Sequence, residues 1–169
     1  FWVQWLIDKA LFEGYMEHMF AKPVKTPKGV QFGYTAVIMW KSQSPWPSLR
    51  GALYDSYLAT TGGFWGAQAA LRPIHLQLNL HTMTLTVVNM RAETSVSMVA
   101  TVRAYELPSG KELTLPERLA KVVVSPVDAV SRRKLTLYHV PWPEEASISG
   151  VVLYRLQLFN AADDPEDAI

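Results

Sequence analysis

Polar positions step by about four residues through the first twenty: Gln4, Asp8, Lys9, Glu13 and Glu17 leave a wide apolar arc of Trp2, Trp5, Leu6, Leu11, Phe12, Met16 and Met19. A stripe this wide predicts a helix over residues 1–20 that other elements largely cover. Pro23, Pro27 and Gly29 end it and open a lysine-containing loop. Residues 36–40 then run apolar without interruption and include Val37 and Ile38, the pattern of a strand buried on both faces by helices. A helix followed by such a strand predicts an α/β unit. After Pro45, Trp46 and Pro47, Ser48 caps a predicted helix that continues to Leu58, and a second short helix is expected near residues 65–71, after Gly62 and Gly63. Arg72-Pro73 marks the boundary of this first part.

Beyond Pro73 the period changes from helical to alternating. His75, Gln77, Asn79 and His81 fall on one face and Leu76, Leu78 and Leu80 on the other, which predicts a half-exposed strand. Similar runs occupy residues 85–89, 96–106, 119–124, 135–140 and 151–159, separated by turn-forming pieces such as Leu107-Pro108-Ser109-Gly110. Six short strands predict an antiparallel sandwich. Phe1 already lies inside the helical pattern, and a sandwich ending in the acidic stretch 161–169 would expose an edge, so we expect further polypeptide beyond this chain.

The 16 basic and 15 acidic residues are interspersed and give a formal charge of +1, so no field of one sign is expected to gather nucleic acid or an anionic membrane. Neither partner is expected. No apolar run approaches the roughly 20 residues of a membrane span. Cysteine is absent from the sequence, which excludes a disulfide framework, a thiolate metal site and a cysteine nucleophile within it.

Candidate chemistry is sparse. Glu144-Glu145 and Asp163-Asp164 sit in Pro-flanked polar stretches and read as solvated turns before they read as a general acid and base. Glu13 follows an apolar run, but its helical position favours structure. His75 and His81 share a strand face about 20 Å apart, too far to ligate one ion, so no metal site is expected. Arg132-Arg133-Lys134 has no interleaved aromatics and reads as a turn before a strand. The aromatics say more. Trp40 ends the predicted buried strand and Trp46 follows between two prolines, positions that would lie on the rim where α/β barrels build their sites. An indole can stack on the C–H face of a sugar while Gln43 serves its hydroxyls; core packing is the competing reading from composition alone.

These residues resemble a known family. Ala36-Val37-Ile38-Met39-Trp40-Lys41-Ser42-Gln43-Ser44-Pro45-Trp46 resembles the eighth barrel strand and following loop of family 2 glycoside hydrolases, where a strand-end tryptophan closes the sugar pocket. Leu49-Arg50-Gly51-Ala52-Leu53-Tyr54-Asp55 is similar to the helix after that loop, and Ala10-Leu11-Phe12-Glu13-Gly14-Tyr15 to the seventh barrel helix of the plant-type endo-β-mannosidases. The likeness continues through Gly62-Gly63-Phe64-Trp65-Gly66-Ala67 and Arg72-Pro73-Ile74-His75-Leu76-Gln77-Leu78-Asn79-Leu80, and weakens after about Asn89. Many members carry an asparagine in the loop where this sequence has Gln43 or Ser44.

The resemblance implies a fold of α/β plus all-β class: residues 1–72 as the last segment of a (β/α)8 (TIM) catalytic barrel and residues 73–169 as an immunoglobulin-like antiparallel β-sandwich, both incomplete. It implies a retaining hydrolase of β-mannosidic linkages, in N-glycan or mannoside breakdown, whose two catalytic glutamates precede Phe1. No catalytic residue is then expected in this chain. Trp40, Gln43 and Trp46 are the expected substrate-binding residues, the partners are a glycan and the upstream remainder of the enzyme, and no cofactor is implied. The competing expectation is a noncatalytic β-sandwich module that binds other proteins or carbohydrate.

Overall fold

The computed structural model describes residues 1–19, 24–29, 31–33, 36–47, 53–127, 134–146 and 150–161. The chain divides into two units, Phe1–Pro73 and Ile74–Ile169.

In the first unit the four-residue stepping of polar side chains produces helix α1, Trp2–Met19. Its partner is a second helix, α2, Gly62–Ala70, nine residues long and capped by Thr61, whose hydroxyl accepts the Gly63 N–H. Between them Val24–Lys25 and Gln31–Phe32 form a short antiparallel ladder, β1 and β2, across a turn in which Gly29 takes a left-handed φ of 77°. The two helices approach closely because α2 presents glycines. A Cβ on Gly62 would strike the Phe1 carbonyl, one on Gly63 the Asp8 carboxylate, and one on Gly66 the Trp5 carbonyl. Burial pushes the Asp8 carboxyl above the usual carboxylate range. Phe12, Ala67 and Ala70 form the unit's small core, with Val37, Met39 and Leu53 packed against it.

Three expectations fail in this unit. Within this chain helix α1 is not largely covered: the nine-residue α2 shields one side of an 18-residue helix, and Trp2, Leu6 and Leu11 remain exposed. Residues 36–40 do not form a strand. They lie between elements with alternating exposure, Val37 and Met39 turned to the core while Ile38 and Trp40 face solvent. An uninterrupted apolar run implies burial on both faces, yet this chain supplies a core for only one. The expected helix from Ser48 to Leu58 is absent over residues 53–58, where Tyr54 makes isolated bridges to Gln43 and Thr60; its first half lies outside the described residues.

The second unit holds the alternating segments. Ile74–Asn79 (β3), Thr84–Asn89 (β4) and Lys134–His139 (β8) make one antiparallel sheet in the order β3-β4-β8. In the other, Met98–Leu107 (β5) pairs along one edge with Glu112–Leu113 (β6) and Val122–Val124 (β7), and along the other with Val151–Asn160 (β9) through ten register pairs. Leu76, Leu78, Leu85 and Val87 of the first sheet and Met98, Ala100, Val102, Val122 and Val124 of the second share one core, flanked by Tyr154, Leu156 and Leu158. Period-two placement of apolar side chains is what lets both sheets contribute a face to it.

Here too the structure differs in detail. Strand β3 is buried on both faces over residues 75–78, not half-exposed: His75 and Gln77 are enclosed, Gln77 in register opposite Thr86 and His75 opposite Val88. The expected strand at residues 119–124 begins only at Val122, after a single 3-10 turn, Glu117–Leu119, and the two-residue β6 has no counterpart among the expected strands. Among the described residues no helix is long and apolar enough to cross a membrane.

Candidate sugar-binding loop

The segment carrying Trp40, Gln43 and Trp46 is fixed from the α2 end upward. Thr61 caps α2 and binds back to Leu53, its N–H and hydroxyl both donating to the Leu53 carbonyl at 3.0 and 3.2 Å. The Gln4 amide also donates to the Thr61 hydroxyl, at 3.2 Å. Residue 54 is thereby placed, its ring 5.4 Å from that of Phe64 on α2. The Tyr54 backbone then holds the loop: its N–H donates to the Ser42 carbonyl at 2.9 Å and its carbonyl accepts the Ser44 N–H at 3.2 Å. Ser44 is buried and its hydroxyl donates to the Trp46 carbonyl at 2.8 Å. Lys41 takes a left-handed φ of 75°, which turns the chain sharply after Trp40.

This scaffold leaves Trp40, 86% exposed, together with Gln43 and Trp46 open to solvent on one loop. Two indoles and a carboxamide on a hydrogen-bonded backbone can stack against sugar rings and bond their hydroxyls; they hold no group able to transfer a proton near neutral pH. The structure adds an exposed ring, on the segment bridged to this loop, that the sequence pattern does not mark. Residues 55–59 form a turn in which the Asp55 carboxylate accepts the N–H groups of Tyr57 and Ala59 at 2.8 and 2.9 Å, presenting Tyr57 at 81% exposure. The available signal was local: an aspartate bonding its backbone two residues on is a recognisable turn former. The helix expected over residues 48–58 places Asp55 inside it instead.

The other candidates lie apart from this loop. Glu13 is buried on α1 and ion-paired with Lys9, whose ammonium also sits 5.7 Å from the centre of the Trp5 ring. Glu145 is exposed; hydrogen bonds from Thr114 at 2.6 Å and Lys111 at 3.2 Å, with the lysine's charge, hold its carboxyl below the usual range. Glu144 is exposed beside it. Burial raises the Tyr154 phenol, whose hydroxyl donates to the Pro141 carbonyl. His75 is buried in β3 while His81 is exposed in the turn after it. Among the described residues no group of three or more histidine, aspartate or glutamate side chains could hold a metal. Lys134 opens β8; Arg132, Arg133, Asp163 and Asp164 lie outside the described residues.

No protein-family model matches the sequence. It is 30% identical over 163 residues, 95% of this chain, to the mannosylglycoprotein endo-beta-mannosidase of Lilium longiflorum. Over 73 residues it is 33% identical to the exo-beta-D-glucosaminidase of Amycolatopsis orientalis. The crystal structure of the Amycolatopsis orientalis exo-chitosanase matches 91% of this chain with a TM-score of 0.71 at 25% identity. The chain spans 15% of the endo-beta-mannosidase, 7% of the exo-glucosaminidase and 16% of the exo-chitosanase structure.

Proposed function

Because the chain is homologous to family 2 glycoside hydrolases, we propose that it is the C-terminal part of a retaining member that cleaves β-mannosidic linkages in N-glycan or mannoside breakdown. The observation that carries this is identity to a plant endo-beta-mannosidase sustained through 95% of the chain, across both units. In this reading residues 1–72 complete a (β/α)8 barrel and residues 73–169 are its immunoglobulin-like neighbour. The glutamates that protonate the leaving oxygen and attack the anomeric carbon come from upstream polypeptide. Trp40, Gln43 and Trp46 form part of the wall that orients the reacting sugar, and their exposure on a backbone-braced loop supports that role.

Two measurements test it. The isolated chain should release no nitrophenol from p-nitrophenyl β-mannoside, whereas an enzyme containing it should. In that enzyme Trp40→Ala should remove roughly 2 to 4 kcal/mol of transition-state stabilisation, read as kcat/KM, with little change in Tm because the indole buries almost nothing in this fold. Turnover by the isolated chain that disappears when one of its own carboxylates is replaced would overturn the proposal.

A further inference from the structure

We propose that Tyr57 is a second sugar-binding position, held by Asp55, for a ring further along the same glycan from the one that meets Gln43. The inference rests on the reading of residues 40–46 as a sugar wall and extends it from one ring to two.

The turn at residues 55–59 is pinned at four points. Besides the two N–H groups on the Asp55 carboxylate, the Asp55 N–H donates to the Ala59 carbonyl at 3.0 Å and the Leu58 N–H to the Asp55 carbonyl at 3.2 Å. Leu58 adopts a left-handed φ of 64°, a backbone state that a γ-branched residue enters only when its surroundings impose it. So much local bonding around a phenol ring and a leucine left in solvent is not explained by core packing, since both side chains are largely exposed. A rigid ring with two side-chain torsions is, by contrast, what a stacking contact needs, because little conformational entropy remains to be lost on binding.

Distance fits the assignment. Gln43 and Tyr54 are bridge partners, which places their backbones about 5 Å apart. Three further residues reach at most about 11 Å, and the bridge between Tyr54 and Thr60 folds the turn back. The Tyr57 backbone therefore lies at most about 16 Å from that of Gln43, a span of the order of three linked sugars. Asp55 is a positioning residue in this scheme, since its carboxylate is occupied by the turn's own amides.

The test uses the full 169-residue chain, diluted until it is monomeric, and two probes, methyl β-mannopyranoside and β-1,4-mannotriose, with binding read by amide chemical shifts. The unsubstituted chain should bind the trisaccharide about two- to tenfold more tightly than the monosaccharide, the range expected of one added aromatic contact. Tyr57→Ala should bring that ratio to about one while leaving monosaccharide binding and the spectrum of the rest of the chain unchanged. Tyr57→Phe should keep the ratio, because the ring face and not the hydroxyl makes the contact. Asp55→Ala should lower the ratio without touching Trp40 or its monosaccharide. An unchanged ratio in Tyr57→Ala, or its loss in Tyr57→Phe, overturns the role of Tyr57 and leaves the sugar wall standing. If the unsubstituted chain binds neither probe, the wall reading itself fails and this inference falls with it.

Discussion

Two buried polar residues of the second unit have opposite energetic signs. Asn89 is fully buried, and its amide donates to the Glu93 carbonyl at 2.8 Å and the Val127 carbonyl at 3.0 Å while its oxygen accepts the Arg91 N–H at 3.0 Å. It closes the end of β4 onto the segment that Ser95 also binds, through the Val127 N–H. The Thr86 hydroxyl, three residues earlier on the same strand, has no hydrogen-bond partner among the described residues although the side chain is buried completely. A buried polar atom costs about 1 to 3 kcal/mol when left unsatisfied, and a bonded one stabilises when kept. Asn89→Ala should thus lower unfolding free energy by roughly 2 to 4 kcal/mol, whereas Thr86→Val should raise it by about 1 kcal/mol. Denaturant titration distinguishes the two, and equal losses would show that Thr86 is satisfied after all. Glu145 carries the pH-sensitive counterpart. Its folded carboxyl is held below the ordinary 4.5, so its contribution is present above that value and is lost as pH falls through the lowered one. Thr114→Val removes the first of its hydrogen bonds, and the Glu145 carboxyl carbon should then titrate closer to 4.5 in an NMR pH series.

Among the elements, helix-to-helix distance decides what a glycine is worth. Gly66 faces the Trp5 carbonyl, backbone against backbone, and an added methyl can be accommodated only by moving α1 away from α2. Gly14, on α1, has open space where its Cβ would stand. Alanine is the better helix former by about 1 kcal/mol in either place, but overpacking costs typically 1 to 3 kcal/mol. Gly14→Ala should consequently raise the melting temperature and Gly66→Ala lower it; a matching rise at both sites would mean that the helices do not meet as described. What the sequence conveyed about the elements follows the same physics. Helix α1 is legible from the four-residue stepping of its polar side chains, although it is this polar side that meets the α2 glycines, α2 from the glycine pair that opens it, and the strands of the second unit from alternation, a property of the segment itself. Residues 36–40 are misread because apolar side chains state a preference for burial, while burial depends on what else is present to cover them. Strand β6 is only two residues long and carries no period to detect. In the candidate site, Trp40, Gln43 and Trp46 were singled out by resemblance and by residue type; Tyr57 went unnoticed because its presentation depends on hydrogen bonds of the Asp55 turn, which no hydrophobic pattern records.

For the molecule as a whole, the uneven covering of α1 sets the expected solution behaviour. Phe1, Trp2, Val3, Leu6 and Ile7 are each more than half exposed along the first two turns of a helix that is about 27 Å long. A contiguous apolar surface of this kind on a folded chain is normally an interface. In the proposed enzyme the neighbouring barrel elements would cover it, at roughly 25 cal/mol for each Å² removed from water. In the isolated chain the same driving force acts between copies. The 169-residue chain should therefore self-associate in a concentration-dependent way by sedimentation velocity, and the double substitution Leu6→Lys with Ile7→Glu should return it to a monomer without loss of the second unit's structure. Leu6 and Ile7 are exposed, and neither belongs to the small core built on Phe12, Ala67 and Ala70. Hydrogen exchange separates this from general misfolding, since amides of β5, paired on both edges, should stay protected in both forms. A monodisperse monomer of the unsubstituted chain with a protected α1 would mean that the helix needs no cover, and the reading of its face as a surface built for other polypeptide would be lost.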